Sequence, residues 1–375
     1  MRLLCRLRLS ERKEGKESVA DAPVYIFGCF QAGGGLSRSA ELYAEQFEKT
    51  HPHCIRVDTS REALQTLKNP TTDGSVRFMG DIIDDCGAGT VIIHHNPPQL
   101  QWLLCRLGRR FLRHKRIVAY MVWELEDIPP LWKHALRFVD AVETPSSFSH
   151  TAIARSTHKR VSIRPHCVSS PPEVRQSYCA DGILRCLFIF DMASLCSRKY
   201  PEAAIKAFAS AFTPEEGRLS IKIGQHTASE QDYERLLQLA GAYPHIRIIA
   251  GWMDDAALHR LYLEHDVYLS LHRSEGYGLT IREAMLRRLY VVATAWSGNM
   301  DFMEGDLVYP VPYKLIPVDR EYAVFNSVPR ARWAEPDIEA AAAILRRLRS
   351  KLLSSSTFDG NAKNNSEASP TGTEV

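Results

Sequence analysis

The chain has 375 residues, of which 45% are hydrophobic and 24% are charged, enough to bury the cores of two domains. Its formal net charge is only +3, because acidic and basic residues nearly balance. This balance argues against a nucleic-acid partner, and no segment is apolar over the length that a transmembrane helix needs.

The N-terminal extension, residues 1–20, is basic, and arginines interrupt its few leucines. It therefore lacks the apolar stretch of a secretory signal. The nine cysteines of the chain include no CxxC pair, which favours reduced thiols over a zinc or disulfide framework. Together these features predict a cytoplasmic location.

Short β-branched runs alternate with amphipathic stretches from residue 21 onward, beginning with VYIFGCF at 24–30. This alternation is typical of βαβ units around a parallel sheet, and it predicts a Rossmann-like domain over residues 21–170. Residues 171–182 are rich in proline, serine and polar residues, as expected of a linker between domains.

The alternation restarts with LRCLFIFDM at 184–192 and predicts a second Rossmann-like domain over residues 183–335. Residues 336–353 are predicted to form a helix that crosses back to the first domain. The last residues, 354–375, lack apolar periodicity and are predicted to be disordered. The expected fold class is therefore α/β, with two αβα domains and a cleft between them.

The most informative segment is SEGYGLTIREAM at 274–285, where a strand passes through Gly276 and Gly278 into a helix. This geometry suits an anion, because glycine lets a ligand approach the backbone and the first N–H groups of a helix have no internal partner. Glu275 and Glu283 flank the turn, and carboxylates are good acceptors for sugar hydroxyls. A purely structural alternative exists for Glu283, since a threonine three residues earlier gives capping-box spacing.

This segment resembles the E-x7-E motif of retaining group 1 glycosyltransferases, which adopt the two-Rossmann GT-B fold. SRKYPEAAIKAFASAF at 197–212 resembles the phosphate-lysine helix of that family, and TAWSGNMDFM at 294–303 resembles the loop after its next strand. In the first half of the chain, GGGLSRSAELYAEQF and MVWELEDIPPLW also resemble stretches of the family.

The resemblance implies transfer of a sugar, with retention of anomeric configuration, from a nucleotide diphosphate to a glycan or lipid-linked acceptor. The donor would be a UDP- or GDP-linked substrate. The resemblance also implies that no divalent metal or other cofactor is needed. The acidic cluster of Asp81, Asp84 and Asp85 is interpreted as a solvated face rather than a metal site.

By the same resemblance, Glu275 would contact the donor sugar, Glu283 the ribose and Lys199 the diphosphate. The other residues of the donor-binding turn would be Gly276, Tyr277, Gly278 and Leu279. The family commonly has an arginine five residues before the lysine, where this chain has a serine, Ser194. Arg198 either supplies the missing cation or faces solvent.

Two groups of residues in the first domain follow predicted strands. Gly33, Gly34 and Gly35 lead into a helix, and they form either a tight turn or a contact with phosphate or acceptor. His94, His95 and Asn96 end a strand at the carboxyl edge of the sheet, where ligands bind. Of the two histidines, His95 is the one predicted to face the cleft, and it is a catalytic candidate together with Glu275 and Lys199. The alternative is a histidine packed beneath the loop, and Asn96 is a candidate for the acceptor side.

Glu124 follows another strand and is a second candidate for the acceptor side, either binding a hydroxyl or pairing with a nearby arginine. In the predicted helix at 102–116, four arginines recur at helical spacing: Arg106, Arg109, Arg110 and Arg113. This stripe is either a solvated helix face or a contact with an anionic membrane surface, which would place the protein peripherally at the inner face of a membrane.

Two other functions remain open at this point. A nucleotide-sugar epimerase shares the fold and the helix-bound diphosphate, although the spacing of the two glutamates argues against it. A non-catalytic protein that binds nucleotide sugars or glycans is the other alternative, because Ser194 occupies the usual arginine position.

Overall fold

The computed structural model describes residues 22–61, 75–318 and 323–364. The predicted N-terminal extension, 1–20, and the last part of the predicted tail, 365–375, lie outside the described residues. In the described part, two parallel sheets confirm the α/β architecture with two domains.

The first sheet has seven parallel strands in the order β3-β2-β1-β4-β5-β6-β7. Its central strands are buried, apolar and rich in β-branched residues, as expected when helices cover both faces of a parallel sheet. The strands are β1 (Val24–Gly28), β2 (Cys54–Asp58), β3 (Arg77–Phe78), β4 (Gly89–Ile93), β5 (Lys115–Tyr120), β6 (Ala141–Thr144) and β7 (Arg160–Ile163).

Amphipathic helices connect these strands and bury one face on the sheet. They are α1 (Gly35–Glu48), α2 (Met79–Ile82), α3 (Gln99–Leu112), α4 (Lys133–Leu136) and α5 (Ser147–Ala154). Gly34 precedes α1 with a φ of 94°, a left-handed value that favours glycine.

The second sheet has six parallel strands in the order β10-β9-β8-β11-β12-β13. These strands are β8 (Leu184–Asp191), β9 (Gly217–Gly224), β10 (Ile246–Ala250), β11 (Val267–Ser270), β12 (Tyr290–Thr294) and β13 (Val308–Val311). The helices of this domain are α6 (Cys196–Lys199), α7 (Pro201–Ala211), α8 (Glu230–Gly241), α9 (Asp255–Leu263) and α10 (Leu279–Leu286).

A return segment leads from the second domain back to the first. It consists of β14 (Tyr313–Pro317), α11 (Ala323–Asn326) and β15 (Arg332–Pro336), with the two strands paired antiparallel. Phe325, Val328 and Trp333 are buried in the core of the first domain. The last part of the predicted 183–335 domain therefore packs on the first domain, which local sequence patterns could not indicate.

The C-terminal helix, α12 (Ile338–Asn364), packs against α7 and contributes to the core of the second domain. The prediction that this helix crosses back to the first domain is therefore wrong, because the return segment makes that crossing. The helix also continues beyond residue 353 to Asn364, so the predicted disorder does not begin at 354.

Two further expectations need correction in α3. Gly108 has φ 68° and ψ 171° and kinks the helix between Arg106 and Arg109, so the four arginines do not follow one continuous helix. Cys105 is disulfide-bonded, so the prediction of reduced thiols fails at this residue. None of the described helices is both long enough and apolar enough to cross a membrane.

Candidate functional site

Strands β8 and β11 lie side by side at the centre of the second sheet, where the strand order reverses. In open α/β sheets, the carboxyl ends of such strands form a ligand-binding crevice. Helix α6 follows β8, and the glycine-containing turn at 274–278 follows β11. The topology therefore brings together two segments that lie about 75 residues apart in the sequence.

Glu275 and two cations meet at this crevice. The Lys199 Nζ donates to Oε1 of Glu275, and the Arg198 Nη1 lies 3.4 Å from its Oε2. Glu275 is only 7% exposed, and both cations are also largely buried. The structure thus joins three of the predicted donor-binding residues in one cluster.

The neighbouring cations determine the ionisation state of the buried Glu275 carboxyl. Burial by itself raises the pKa of Glu275, but the charges of Lys199, Arg198 and His272 outweigh it and hold the pKa at about 2. Burial lowers the pKa of Lys199, and the neighbouring Glu275 carboxylate acts in the opposite direction. Glu275 is consequently an anion at neutral pH.

The Arg198 side chain is buried and does not face solvent. Its Nη1 donates to the carbonyl oxygen of Ser274 at 2.7 Å, and its Nη2 donates to that of Ser194 at 2.9 Å. The guanidinium is therefore held close to the residue that occupies the family's arginine position. Of the two alternatives for Arg198, the structure supports a cation within the site.

Glu124 of the first domain completes the cluster. Its Oε1 lies 3.9 Å from Nη2 of Arg198, and burial raises the pKa of its carboxyl. The hydroxyl of Ser274 donates to the Glu124 carbonyl oxygen. Glu124 thus has the arginine partner that was one of its two alternatives, and this partner belongs to the other domain.

The backbone of the turn is packed between the two domains. The Ser146 hydroxyl, at the start of α5, donates to the carbonyl oxygen of Gly276 at 2.6 Å. A side chain at position 276 would clash with Val122, and one at position 298 would clash with the Gly276 backbone. Glycine is therefore required at both positions by close backbone approach.

Helix α10 begins directly after this turn, and its N-cap is Gly278, which has no side chain to occupy the free N–H groups. Because Leu279 is the first helical residue, Thr280 is not the N-cap and the capping-box explanation for Glu283 does not apply. Instead, Glu283 accepts a hydrogen bond from Tyr262 at 3.1 Å, and burial raises its pKa.

Tyr277, another predicted donor-binding residue, lies on the side of the turn that faces His166 of the first domain. Its ring centroid is 4.9 Å from that of His166, and its hydroxyl donates to the His166 carbonyl oxygen at 3.3 Å. These contacts hold the turn against the segment that follows β7.

The glycine loop of the first domain faces the second domain. A side chain at Gly34 would come within 2.5 Å of Oδ2 of Asp191, at the end of β8, and within 3.3 Å of Nε2 of Gln225. Gly33 and Gly35 adjoin it at the start of α1. The loop therefore lies opposite the ligand edge of the second sheet, as its predicted contact with phosphate or acceptor requires.

The histidines after β4 are in separate hydrogen-bonded sites within the first domain. His95 is buried and its Nε2 lies 2.7 Å from the Thr59 hydroxyl, which matches the alternative of a histidine packed beneath the loop. His94 contacts Ser39 at 2.9 Å. The Asn96 Nδ2 donates to the Val122 carbonyl oxygen, and the Asn96 Oδ1 accepts the Val122 N–H. The predicted roles of His95 and Asn96 stay predictions.

The segments that form this site are similar to a known protein family. Residues 187–306, which include Arg198, Lys199, Glu275 and Glu283, match the model of the family described as glycosyl transferases group 1. Over these residues the chain is similar to the group 1 glycosyltransferases. The matched region comprises most of the second domain, and no curated protein sequence matches the chain.

Solved structures extend the similarity beyond the matched region to the whole fold. A glycosyltransferase from Rickettsia africae has a TM-score of 0.57 and 14% identity, covering 90% of this chain and 89% of that one. Anabaena HepE in complex with UDP-glucose has a TM-score of 0.55 and 15% identity, covering 76% and 83%. The lipopolysaccharide outer core galactosyltransferase WaaB has a TM-score of 0.53 and 14% identity, covering 77% and 84%. These similarities establish the GT-B fold.

Several residues of the site were not found from the sequence. Ser297 accepts the Glu275 backbone N–H at 2.7 Å, and only the segment around it, 294–303, resembles the family. Arg273 binds Glu335 of the return segment, and His272 is fully buried beside the cluster. Arg273 and His272 adjoin the turn, which is a weak local signal, whereas Glu335 has none.

Proposed function

We propose that the chain is a retaining glycosyltransferase that moves a sugar from a nucleotide diphosphate donor to a glycan or lipid-linked acceptor. The observation that carries the proposal is the buried cluster of Lys199, Arg198 and Glu275 at the carboxyl ends of β8 and β11. It combines two cations with an ionised carboxylate beside a helix start that has no side-chain cap.

The chemistry of donor binding follows from this arrangement. The diphosphate replaces Glu275 as the partner of the two cations and takes up the free N–H groups of α10. Glu275 is then free to accept hydrogen bonds from hydroxyls of the sugar. On donor binding, the two cations exchange Glu275 for the diphosphate, and Glu275 exchanges the cations for sugar hydroxyls. No buried charge is left unpaired.

The same cations would act in the transfer step. As the glycosidic bond breaks, the leaving nucleoside diphosphate gains negative charge, which fixed cations stabilise more in the transition state than in the ground state. We assign the positive charge to Lys199 and Arg198 and require no divalent metal. We assign no protein nucleophile, and the donor phosphate takes the acceptor proton on the same face of the sugar.

Glu124 is the residue of the first domain that we assign to acceptor binding. Its carboxyl belongs to the other domain, lies near Arg198 and has a raised pKa. A carboxyl in this position is suited to bind an acceptor hydroxyl. Glu283 lies in α10 and accepts a hydrogen bond from Tyr262 of α9. It is proposed to bind the ribose, as the family resemblance implies.

The test is nucleotide release from a panel of UDP- and GDP-sugars, with and without candidate acceptors. UDP-glucose is the first donor, since HepE of similar fold has been solved with it. Wild type is compared with Glu275→Gln and with Glu234→Gln, a control at an exposed position of α8. Binding of UDP and GDP is measured in parallel by calorimetry.

We expect Glu275→Gln to lose release by about 100-fold while it binds the free nucleotide at least as tightly as wild type, because the carboxylate no longer competes for the cations. Glu234→Gln should match wild type. If wild type binds nucleotides but releases none from any donor and acceptor pair, the protein is a non-catalytic binding protein. Equal release by Glu275→Gln and wild type would refute the assigned site.

We also propose a cytoplasmic location, with peripheral membrane contact through the exposed arginines of α3. The kink at Gly108 divides these residues, so Arg109, Arg110 and Arg113 form the contact on its C-terminal side. Arg110 already pairs with Asp84 at 3.5 Å, and all three arginines are exposed. Absence of binding to vesicles with phosphatidylserine at low salt would remove this part of the proposal.

A further inference from the structure

The return segment reaches the site through one carboxylate. Glu335, in β15, accepts a hydrogen bond from the Tyr200 hydroxyl at 2.9 Å. Its other oxygen accepts from Arg273, with the Nε at 2.8 Å and the Nη2 at 2.7 Å. The Arg273 guanidinium also lies over the Tyr200 ring, 3.8 Å from its centroid. Three residues from three segments therefore form one bonded unit.

Two members of this unit adjoin the ion-paired cluster in the sequence. Tyr200 directly follows Lys199 and has a φ of 52°, a left-handed value that is unfavourable for a tyrosine. Such a conformation persists only where surrounding contacts impose it. The contacts of the Tyr200 ring and hydroxyl with Arg273 and Glu335 supply that constraint.

Arg273 connects the same unit to the other half of the cluster. It lies two residues before Glu275, and its backbone N–H donates to the carbonyl oxygen of Arg198 at 2.8 Å. Its own carbonyl oxygen accepts the Ala334 N–H at 2.9 Å. Glu335 is thus bonded to both chain segments that carry the Lys199–Glu275 pair.

The return segment is itself fixed to the first domain. Trp333 is fully buried there, and the Phe325 ring lies 5.4 Å from that of Trp123, the residue before Glu124. A change in the position of the first domain is therefore transmitted to Glu335 through packed side chains. A partly exposed ion pair adds little stability, so we attribute this geometry to the positioning of the residues next to it.

We infer that Glu335 is a positioning residue that, through Arg273 and Tyr200, sets the distance between Lys199 and Glu275 and couples it to the seating of the first domain. This inference rests on the proposed function, because it concerns the same donor site. Displacement of a charged group by about 1 Å is enough to reduce turnover up to about 100-fold. Glu335 touches neither donor nor acceptor in this account.

The experiment compares Glu335→Gln with Arg332→Gln, a matched control on the same strand. Arg332 also ties β15 to the first domain through an ion pair, with Glu126 at 3.0 Å, but this pair does not contact the Lys199–Glu275 segments. Both variants lose one partly exposed ion pair and should show similar thermal stability. Donor turnover, donor KM and the pH profile of turnover are measured for each.

Glu335→Gln should lower kcat about 10-fold and shift the alkaline limb of the pH profile, because Lys199 is no longer held against Glu275. Arg332→Gln should keep the kcat and pH profile of wild type. Tyr200→Phe removes one contact of Glu335, so its effect should be smaller and should not add to that of Glu335→Gln.

The outcomes separate the inference from the proposed function. If wild type turns over a donor and Glu335→Gln behaves like Arg332→Gln, the inference is wrong and the proposed function stands. Additive effects of Tyr200→Phe and Glu335→Gln would also overturn it. If wild type neither binds nor turns over any nucleotide sugar, the proposed function fails and the inference fails with it.

Discussion

The individual residues of the cluster explain why a buried carboxylate is tolerated in this fold. A carboxylate removed from water is costly unless it is paired and hydrogen-bonded. Glu275 has two cationic neighbours, and its backbone is fixed by Ser297. This local compensation predicts that removal of one cation affects both function and the ionisation of the carboxyl.

Replacing Lys199 with methionine tests that compensation. We expect Lys199→Met to lower kcat/KM for the donor by about 100-fold or more, because a fixed cation at the diphosphate is lost. The pKa of Glu275 should rise, since its nearest cation is absent. Lys206→Met, at an exposed position of α7, serves as the control. Comparable steady-state kinetics in the two variants would contradict the prediction.

His95 gives a prediction for acid stability. Burial lowers its pKa to about 4 in the folded protein, against about 6.5 when unfolded, so the unfolded chain binds more protons between these values. The contribution of His95 to stability should therefore fall by about 2 kcal/mol between pH 7 and pH 5. His95→Gln keeps a polar group for Thr59 but does not titrate.

The measurement is the free energy of unfolding by urea at pH 7 and pH 5. His95→Gln should lose less stability on acidification than wild type, whereas His114→Gln, at an exposed position, should behave like wild type. An identical pH dependence in His95→Gln and wild type would show that the residue is not buried in its neutral form.

Among the elements, the loops after the strands are the most constrained parts of this chain. Gly276 and Gly298 are in close backbone contact, where the loop after β12 packs against the turn after β11. The Gly298 N–H donates to the Glu275 carbonyl oxygen at 2.9 Å. In contrast, α3 contains a glycine with a positive φ where the sequence pattern indicated an uninterrupted helix.

Substitution at position 298 should therefore damage the site through the backbone. The atoms that a new Cβ would meet belong to the Glu275 and Gly276 backbone, which cannot rotate away. We expect Gly298→Ala to lower the free energy of unfolding by about 1–3 kcal/mol. Turnover should fall further than this loss of stability accounts for. Gly241→Ala, where no atom lies within 4 Å of the new Cβ, is the control. Thermal unfolding and donor turnover are compared, and wild-type turnover in Gly298→Ala would contradict this account.

At the scale of the whole molecule, the two domains are joined by contacts on several sides of the cleft. The carboxylate of Asp301, in the second domain, accepts the backbone N–H of Ser147 at 2.6 Å at the start of α5. The Ser146 hydroxyl donates to the Gly276 carbonyl oxygen beside it, and the Ser274 hydroxyl donates to the Glu124 carbonyl oxygen. The described conformation is therefore one in which the first domain covers the turn at 274–278.

Removing the Asp301 carboxylate should loosen this closed arrangement. Asp301→Ala loses a charged acceptor for a helix N-terminus, worth about 1 kcal/mol. We expect faster amide hydrogen exchange at Ser147 and a higher donor KM, because closure becomes less favourable. Glu304→Ala removes an exposed carboxylate of the same segment and should change neither quantity. Unaltered exchange at Ser147 in Asp301→Ala would show that this bond does not stabilise closure.

Local patterns in the sequence determined the two Rossmann-like sheets, the helix over 201–211 and the donor turn, because apolar periodicity and glycine positions report on nearby backbone geometry. The family resemblance predicted donor-binding roles for Glu275, Glu283 and Lys199, and these roles stay predictions. Only the tertiary structure decided that Arg198 is buried, that Glu124 faces it and that Glu335 reaches the site. These relations join residues between 62 and 135 positions apart, and chain packing, rather than local periodicity, determines which distant side chains meet.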